Sequence, residues 1–219
     1  MKILATSVLL IIITFTFITF NKAEKINTES NIVSKPLNLH EHSNEFVKKK
    51  LSEMTLREKI AQMIVANAVP ENFSENSAEV KKLKKLCTDT KVGGFIFFKG
   101  NSSDYARLSN ILQSNSDVPL LLSSDFERGT RMRVTDGALF PNNMAIGAAD
   151  NKELSYKMGL EIARETRLLG IHQNYSPVCD VNNNPNNPII NVRSFGEDPQ
   201  LVSRMSEAMI KGLQDGKVI

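Results

Sequence analysis

Two segments concentrate side chains whose types and spacing can do chemistry. The first, Ser123-Ser124-Asp125-Phe126-Glu127-Arg128-Gly129-Thr130-Arg131-Met132-Arg133, follows the apolar run Leu120-Leu121-Leu122. Alternation along an extended chain puts Asp125 and Glu127 on one face. Two carboxyls about 5–5.5 Å apart suit the acid and nucleophile of retaining glycoside cleavage. The same acids fit an ion-pair cluster with Arg128, Arg131 and Arg133, and polar strand ends are often simply solvated. The second segment runs from Ser176-Pro177-Val178-Cys179-Asp180-Val181 through the Asn-rich stretch 182–188 to Arg193-Ser194-Phe195-Gly196-Glu197-Asp198-Pro199. A usual strand-to-helix connection takes only about 2–6 residues, so this length points to function. Asn amides and an Arg fork donate in fixed planes and suit sugar hydroxyls. An Asn-rich cluster of turns explains the composition equally well.

Other chemistries find no footing. The sequence holds no Walker loop, no Gly-x-Gly-x-x-Gly after a strand, no Cys-x-x-Cys and no His-Glu-x-x-His. His40-Glu41-His42 does not place both imidazoles on one helix face and lacks a third ligand, so it reads as a solvated linker. Neither metal nor cofactor is expected. Cys87 completes an apolar helical stripe with Val80 and Leu83, and Cys179 ends an apolar strand. Both read as buried small hydrophobes. His172 lies inside a strand and reads as structural. The runs Lys48-Lys49-Lys50 and Lys81-Lys82 with Lys84-Lys85 read as solvated helix faces. The formal net charge is +3, from 27 basic and 24 acidic side chains; Lys2 and Lys22 belong to an apolar export segment, which leaves about +1 for the body. So neutral a body argues against a nucleic-acid partner.

The elements that must position these residues follow from periodicity. The chain has 219 residues, 41% of them hydrophobic, enough for a sizeable core. Met1-Lys2 precedes an uncharged apolar run, Ile3 to Phe20, followed by Asn21-Lys22-Ala23. That run exceeds the usual signal core of about 7–15 residues and reaches the lower limit of about 17 for a membrane span. A cleaved signal over 1–23 and an uncleaved anchor both fit. Either implies export, to a periplasmic or extracellular location, with membrane contact only through an uncleaved anchor. Residues 24–43 read as a flexible polar leader, and order begins at Asn44.

Thr55-Leu56-Arg57-Glu58 is a capping box, with Leu56, Ile60 and Met63 following at helical spacing. Ile64-Val65-Ala66 reads as a first strand. Helices are expected over 77–88, 104–113, from the capping box Asp150–Glu153 onward, and from the Asp198-Pro199 cap to Gly216. Strands are expected over 92–98, 118–123 and 171–178, and Lys217-Val218-Ile219 begins another extended stretch. Gly93-Gly94 reads as close packing at a strand start. Near-continuous apolar strands bounded by helices mean parallel βα units, roughly four of them. An open doubly wound sheet and part of a (β/α)8 barrel both fit, and both gather function at the carboxyl ends of the strands.

Read in order, Met54–Met63, Val92–Ile96, Asp125–Gly129, Phe140–Gly147, Ser176–Val181 and Arg193–Pro199 resemble the N-terminal domain of glycoside hydrolase family 3. The Asp-x-Glu-x-Gly form resembles its β-N-acetylhexosaminidase branch. The resemblance implies an α/β fold, a partial (β/α)8 TIM barrel holding roughly the first half of the βα units, over 44–219. It implies that Asp125 accepts hydrogen bonds from hydroxyls of a non-reducing sugar. Arg133 matches a substrate-contacting Arg, and Arg193 matches the Arg that grips the same sugar. Glu127 then becomes a supporting residue, not half of a catalytic pair. The family's Lys-His-Phe-Pro-Gly-His-Gly-like segment, its acid/base His and its nucleophilic Asp have no match in these 219 residues. The resemblance therefore implies substrate-binding residues Asp125, Arg133 and Arg193, no catalytic residue and no metal ligand. The expected protein is the N-terminal fragment of a retaining exo-acting β-N-acetylhexosaminidase, inactive alone. Its expected partner is a carbohydrate, a terminal N-acetylglucosaminide or glucoside. A β-glucosidase fragment of the same family and a non-catalytic carbohydrate-binding half-barrel, single or paired as a homodimer, are the alternatives.

Overall fold

The computed structural model describes residues 45–219. The expected export segment, the polar leader and His40-Glu41-His42 lie outside the described residues. Helix α1 (Glu45–Glu53) leads to α2 (Leu56–Ala61). The capping box forms as expected: Thr55 Oγ1 accepts from Glu58 N, and the Glu58 carboxylate accepts from Thr55 N at 2.8 Å. Leu56 and Ile60 fall on the helix, but it ends at Ala61 before Met63, and all three are exposed. Six residues make α2 too short to bury a stripe, and it docks through Ala61 instead.

Four parallel strands follow in spatial order β1-β2-β3-β4: Val65–Ala68, Gly94–Phe97, Leu121–Ser124 and Gln173–Asn174. A doubly wound sheet reverses its strand order partway, whereas a barrel keeps chain neighbours as spatial neighbours. The sequential order here is that of a barrel wall. Beyond β4 the chain returns alongside it, with Ile219 N donating to His172 O at 2.9 Å and Asn174 N to Ile219 O at 2.8 Å.

Helices α3 (Ala78–Lys85), α4 (Ser102–Ser114), α5 (Asn143–Ala148), α6 (Lys152–Leu168) and α7 (Pro199–Asp215) complete the layer over the sheet. Phe95, Phe97 and Leu122 bury their side chains with Tyr105, Leu108 and Leu112 of α4 and with Val80 and Leu83 of α3. Each such side chain contributes about 1.5–3 kcal/mol on burial, an upper bound given a compact unfolded state. Gly93 packs as expected: a Cβ there would lie 1.9 Å from Gln62 O. Helices α6 and α7 approach closely through Gly159, whose Cβ would meet Met209 O at 2.4 Å, and Ser155 Oγ donates to Met205 O across the contact. Asp198 caps α7 by accepting from Gln200 N and Leu201 N, with Pro199 in the first turn.

Three expectations need correction. The strand expected over 171–178 pairs only at Gln173–Asn174, because its partner β3 ends at Ser124 and Pro177 offers no N–H. The capping box expected at Asp150–Glu153 does not form. Asn151 is the cap and accepts from Glu153 N, while Asp150 takes a positive φ of 43°. Cys87 is buried, and burial pushes its thiol up to about 11. Cys179, however, is exposed and free, because the chain has already left the sheet.

His172 bears out its structural reading: its Nδ1 accepts from Leu122 N at 3.1 Å. That bond needs an unprotonated Nδ1, and burial, helped by the Arg167 charge, holds the imidazole pKa below its ordinary value. The unfolded chain then takes up this proton before the folded one does. The stabilisation is complete above about pH 6.5 and is lost as pH falls toward the depressed value. Urea midpoints measured from pH 7.5 to 5 should fall for the wild type and show a shallower slope in His172→Gln. Parallel slopes would remove His172 from this role.

Candidate functional site

Strand β3 ends in two hydroxyls that tie it to β2: Ser123 Oγ donates to Phe95 O at 3.2 Å and Ser124 Oγ to Phe97 O at 2.8 Å. The chain then runs on through Asp125-Phe126-Glu127. Phe126 turns into the core, fully buried, with its ring centroid 6.5 Å from that of Tyr105. Asn174 of β4 fixes the Phe126 backbone from both sides, accepting from its N–H at 2.7 Å and donating to its carbonyl at 3.3 Å.

Each acid meets its own guanidinium. Arg133 grips Asp125 through Nε and Nη2, a two-pronged pair. Arg193 grips Glu127 the same way, at 2.9 Å through Nε and 2.7 Å through Nη2. Glu127 keeps only 9% of its side chain exposed, against 21% for Asp125. The guanidinium pKa is raised in both arginines, chiefly by these hydrogen bonds. Arg133 also feels the charge of Glu127, and Arg193 the charges of Asp180 and Asp125. The five groups thus share one field at the carboxyl ends of β3 and β4.

The arginines are delivered by constrained loops. Gly129, at φ 108°, leads into a single 3-10 turn, Thr130–Met132, and Arg133 follows. Gly100 N donates to Arg133 O at 3.1 Å and Thr135 N to Gly100 O at 2.9 Å, which stitches this loop to the one after β2. Asp136 accepts from Ser102 N and Oγ at the start of α4, bonds that hold its carboxyl below the usual range. The Arg133 guanidinium lies over the Phe98 ring, 5.2 Å from its centroid, and Tyr105 Oη donates to Phe98 O. On the other side, Asn143 Nδ2 donates to Arg193 O at 2.8 Å, and Arg193 Nη1 donates to Ile189 O at 3.1 Å.

The structure therefore brings Asp125, Arg133 and Arg193 together, and it places Glu127 as the partner of Arg193. The ion-pair cluster takes in Arg133 but, among the described residues, not Arg128 or Arg131. Each carboxylate is committed to its guanidinium as a hydrogen-bond acceptor. Asp125 spends only part of its lone-pair capacity on Arg133 and can still accept from hydroxyls. Phe98, Asn174 and Glu165, which hold the site segments, were not singled out from sequence. Phe98 and Asn174 read as ordinary strand residues and Glu165 as a helix-surface acid, so no local signal marked them.

A parallel wall of βα units with charged side chains gathered past its strand ends is the form of a (β/α)8-barrel domain. Residues 55–219 match the family model described as glycosyl hydrolase family 3 N terminal domain. The chain belongs to that family. It is 36% identical over 151 residues to beta-hexosaminidase A of Pseudoalteromonas piscicida, covering 63% of this chain and 25% of that protein. It is 29% identical over 184 residues to the beta-N-acetylglucosaminidase/beta-glucosidase of Cellulomonas fimi, covering 84% and 31%. The structure matches that of a family 3 beta-N-acetylglucosaminidase from Paenibacillus sp. str. FPU-7 with a TM-score of 0.67 and 38% identity, covering 75% and 32%. The chain thus spans a quarter to a third of the length of these relatives.

Arg193→Met would leave Glu127 nearly buried without its counter-charge, at a cost of about 1–3 kcal/mol. Adding Glu127→Gln should recover much of that loss. Thermal and urea unfolding of the two single variants and the double variant would check it, and strict additivity would contradict the pairing.

Proposed function

We propose that residues 44–219 form the sugar-binding wall of an exported, retaining, exo-acting β-N-acetylhexosaminidase that removes terminal β-linked N-acetylglucosamine. Asp125 accepts hydroxyl hydrogen bonds from the terminal sugar, while Arg133 and Arg193 donate to it. The reading is carried by one observation: Asp125, Arg133, Glu127 and Arg193 form two interlocked acid–guanidinium pairs at the strand ends. Membership of family 3 and the hexosaminidase names of relatives support the choice of sugar. Export is supported by the apolar run Ile3 to Phe20.

In this reading the 219 residues bind sugar but do not cleave it, because a double displacement needs a nucleophile and an acid/base that none of Asp125, Arg133 and Arg193 supplies. Asp125 and Glu127 are each tied to a guanidinium. A glucoside-directed version of the same site is the second reading, favoured by the double name of the Cellulomonas fimi relative.

Titration calorimetry of the 219-residue chain should give saturable binding of N-acetylglucosamine, tighter than glucose. Losing one charge-assisted bond of about 1.5–3 kcal/mol should weaken binding about tenfold or more in Asp125→Asn. A nitrophenyl N-acetylglucosaminide should show no turnover above blank. Tighter glucose binding favours the second reading. No sugar binding, or turnover abolished by Asp125→Ala, overturns the proposal.

A further inference from the structure

Arg133 can serve Asp125 only if its turn holds still, and one side chain outside both site segments is placed to hold it. Glu165 belongs to α6. Its Oε2 accepts from Thr130 Oγ1 and, at 3.2 Å, from Ala138 N. Thr130 opens the turn that delivers Arg133, and Ala138 lies where the loop closes. The two ends are also joined directly, since Arg131 N donates to Ala138 O at 3.0 Å. Thr130 O in turn accepts from Arg133 N at 3.0 Å and from Val134 N at 2.8 Å. A continuous chain of bonds therefore runs from Glu165 through Thr130 to the Arg133 backbone, and through its guanidinium to Asp125. Thr130 is 1% exposed, so water cannot replace Glu165 as the acceptor of its hydroxyl without opening the turn.

We propose that Glu165 is a positioning residue: it clamps the Thr130–Ala138 loop so that Arg133 presents Asp125 to the sugar in one fixed plane. The consequence for sugar rests on the function proposed above, whereas the clamp itself does not. Both accepted bonds fall on one oxygen. The amide oxygen of a glutamine can therefore replace it, and the negative charge is not what the clamp requires.

The 219-residue protein tests this by NMR of the arginine Nε–Hε groups and by titration with N-acetylglucosamine. In the wild type and in Glu165→Gln, the Arg133 Nε–Hε signal should sit at the shifted position of a carboxylate-bound guanidinium. In Glu165→Leu it should move to that of a solvated one, and sugar binding should weaken about tenfold, a misorientation effect. Glu165→Gln should keep affinity within about twofold. Thr130→Val, which removes the donor and leaves Glu165 in place, should shift the same signal, and it carries the test if Glu165→Leu does not fold. An unmoved Arg133 signal in the folded variants overturns the proposal, as does its loss in Glu165→Gln. A signal that responds as described, in a wild type that binds no sugar, leaves the clamp standing and removes the sugar reading.

Discussion

An ionised carboxylate that is half withdrawn from water must be given a counter-charge or it will neutralise. That constraint organises the site end of this molecule. Phe126 is buried to the last atom, and its two neighbours in sequence are acids. Burying the ring turns both acids the opposite way, toward the strand ends, where each is short of water. Arg133 and Arg193 resolve the problem from different directions, one from the loop after β3 and one from the long loop after β4. Long-range order in the loops follows from this local need. A chain that failed to bring Arg193 back across the sheet would leave Glu127 buried and unpaired.

The barrel wall supplies what the acids cannot. Sequential parallel strands put successive loops side by side, so the loops after β2, β3 and β4 touch. Phe98 from the first offers its ring to Arg133, the second carries the acids and Arg133, and Arg193 comes from the third, while Asn174 reaches Phe126 from the end of β4 itself. Helix α4 contributes from beneath: Tyr105 packs on Phe97 and Phe126 and steadies the Phe98 carbonyl. Core and site thus share residues, and the packing that stabilises the sheet also sets the plane of the guanidinium.

How much of this was legible in the sequence depends on the range of the interaction. Most signals within a few residues hold: the Thr55–Glu58 box, the Asp198-Pro199 cap, the tight packing at Gly93, and the apolar strands; the Asp150–Glu153 box does not, because the cap shifts one residue to Asn151. Signals that depend on a partner were read less well. The stretch after Asn174 looks like a continuing strand, because nothing in it announces that β3 has already ended. Cys179 looked buried for the same reason. Asp125, Arg133 and Arg193 emerged from the resemblance of whole segments to a family. Spacing alone left Asp125 and Glu127 as a plausible catalytic pair, and only the return of Arg193 shows that Glu127 is occupied. Glu165 and Asn174 were invisible because a single helix acid or strand amide has many uses.

The sign of the site field bears on the class of ligand. Asp125, Glu127 and Asp180 outnumber Arg133 and Arg193 among the groups that feel one another. A phosphate or carboxylate ligand would meet guanidiniums already neutralised, with excess negative charge behind them, and would have to displace a two-pronged pair to bind. A hydroxyl meets no such barrier. It can donate to a free lone pair of Asp125 while accepting from an uncommitted N–H of an arginine, leaving both pairs intact. Vicinal hydroxyls repeat that exchange on adjacent atoms, with donor and acceptor held in fixed planes by the pairs themselves. For the sugar site proposed above, the arrangement would therefore favour a neutral polyol over an anion, through the same pairing that accompanies burial of the acids.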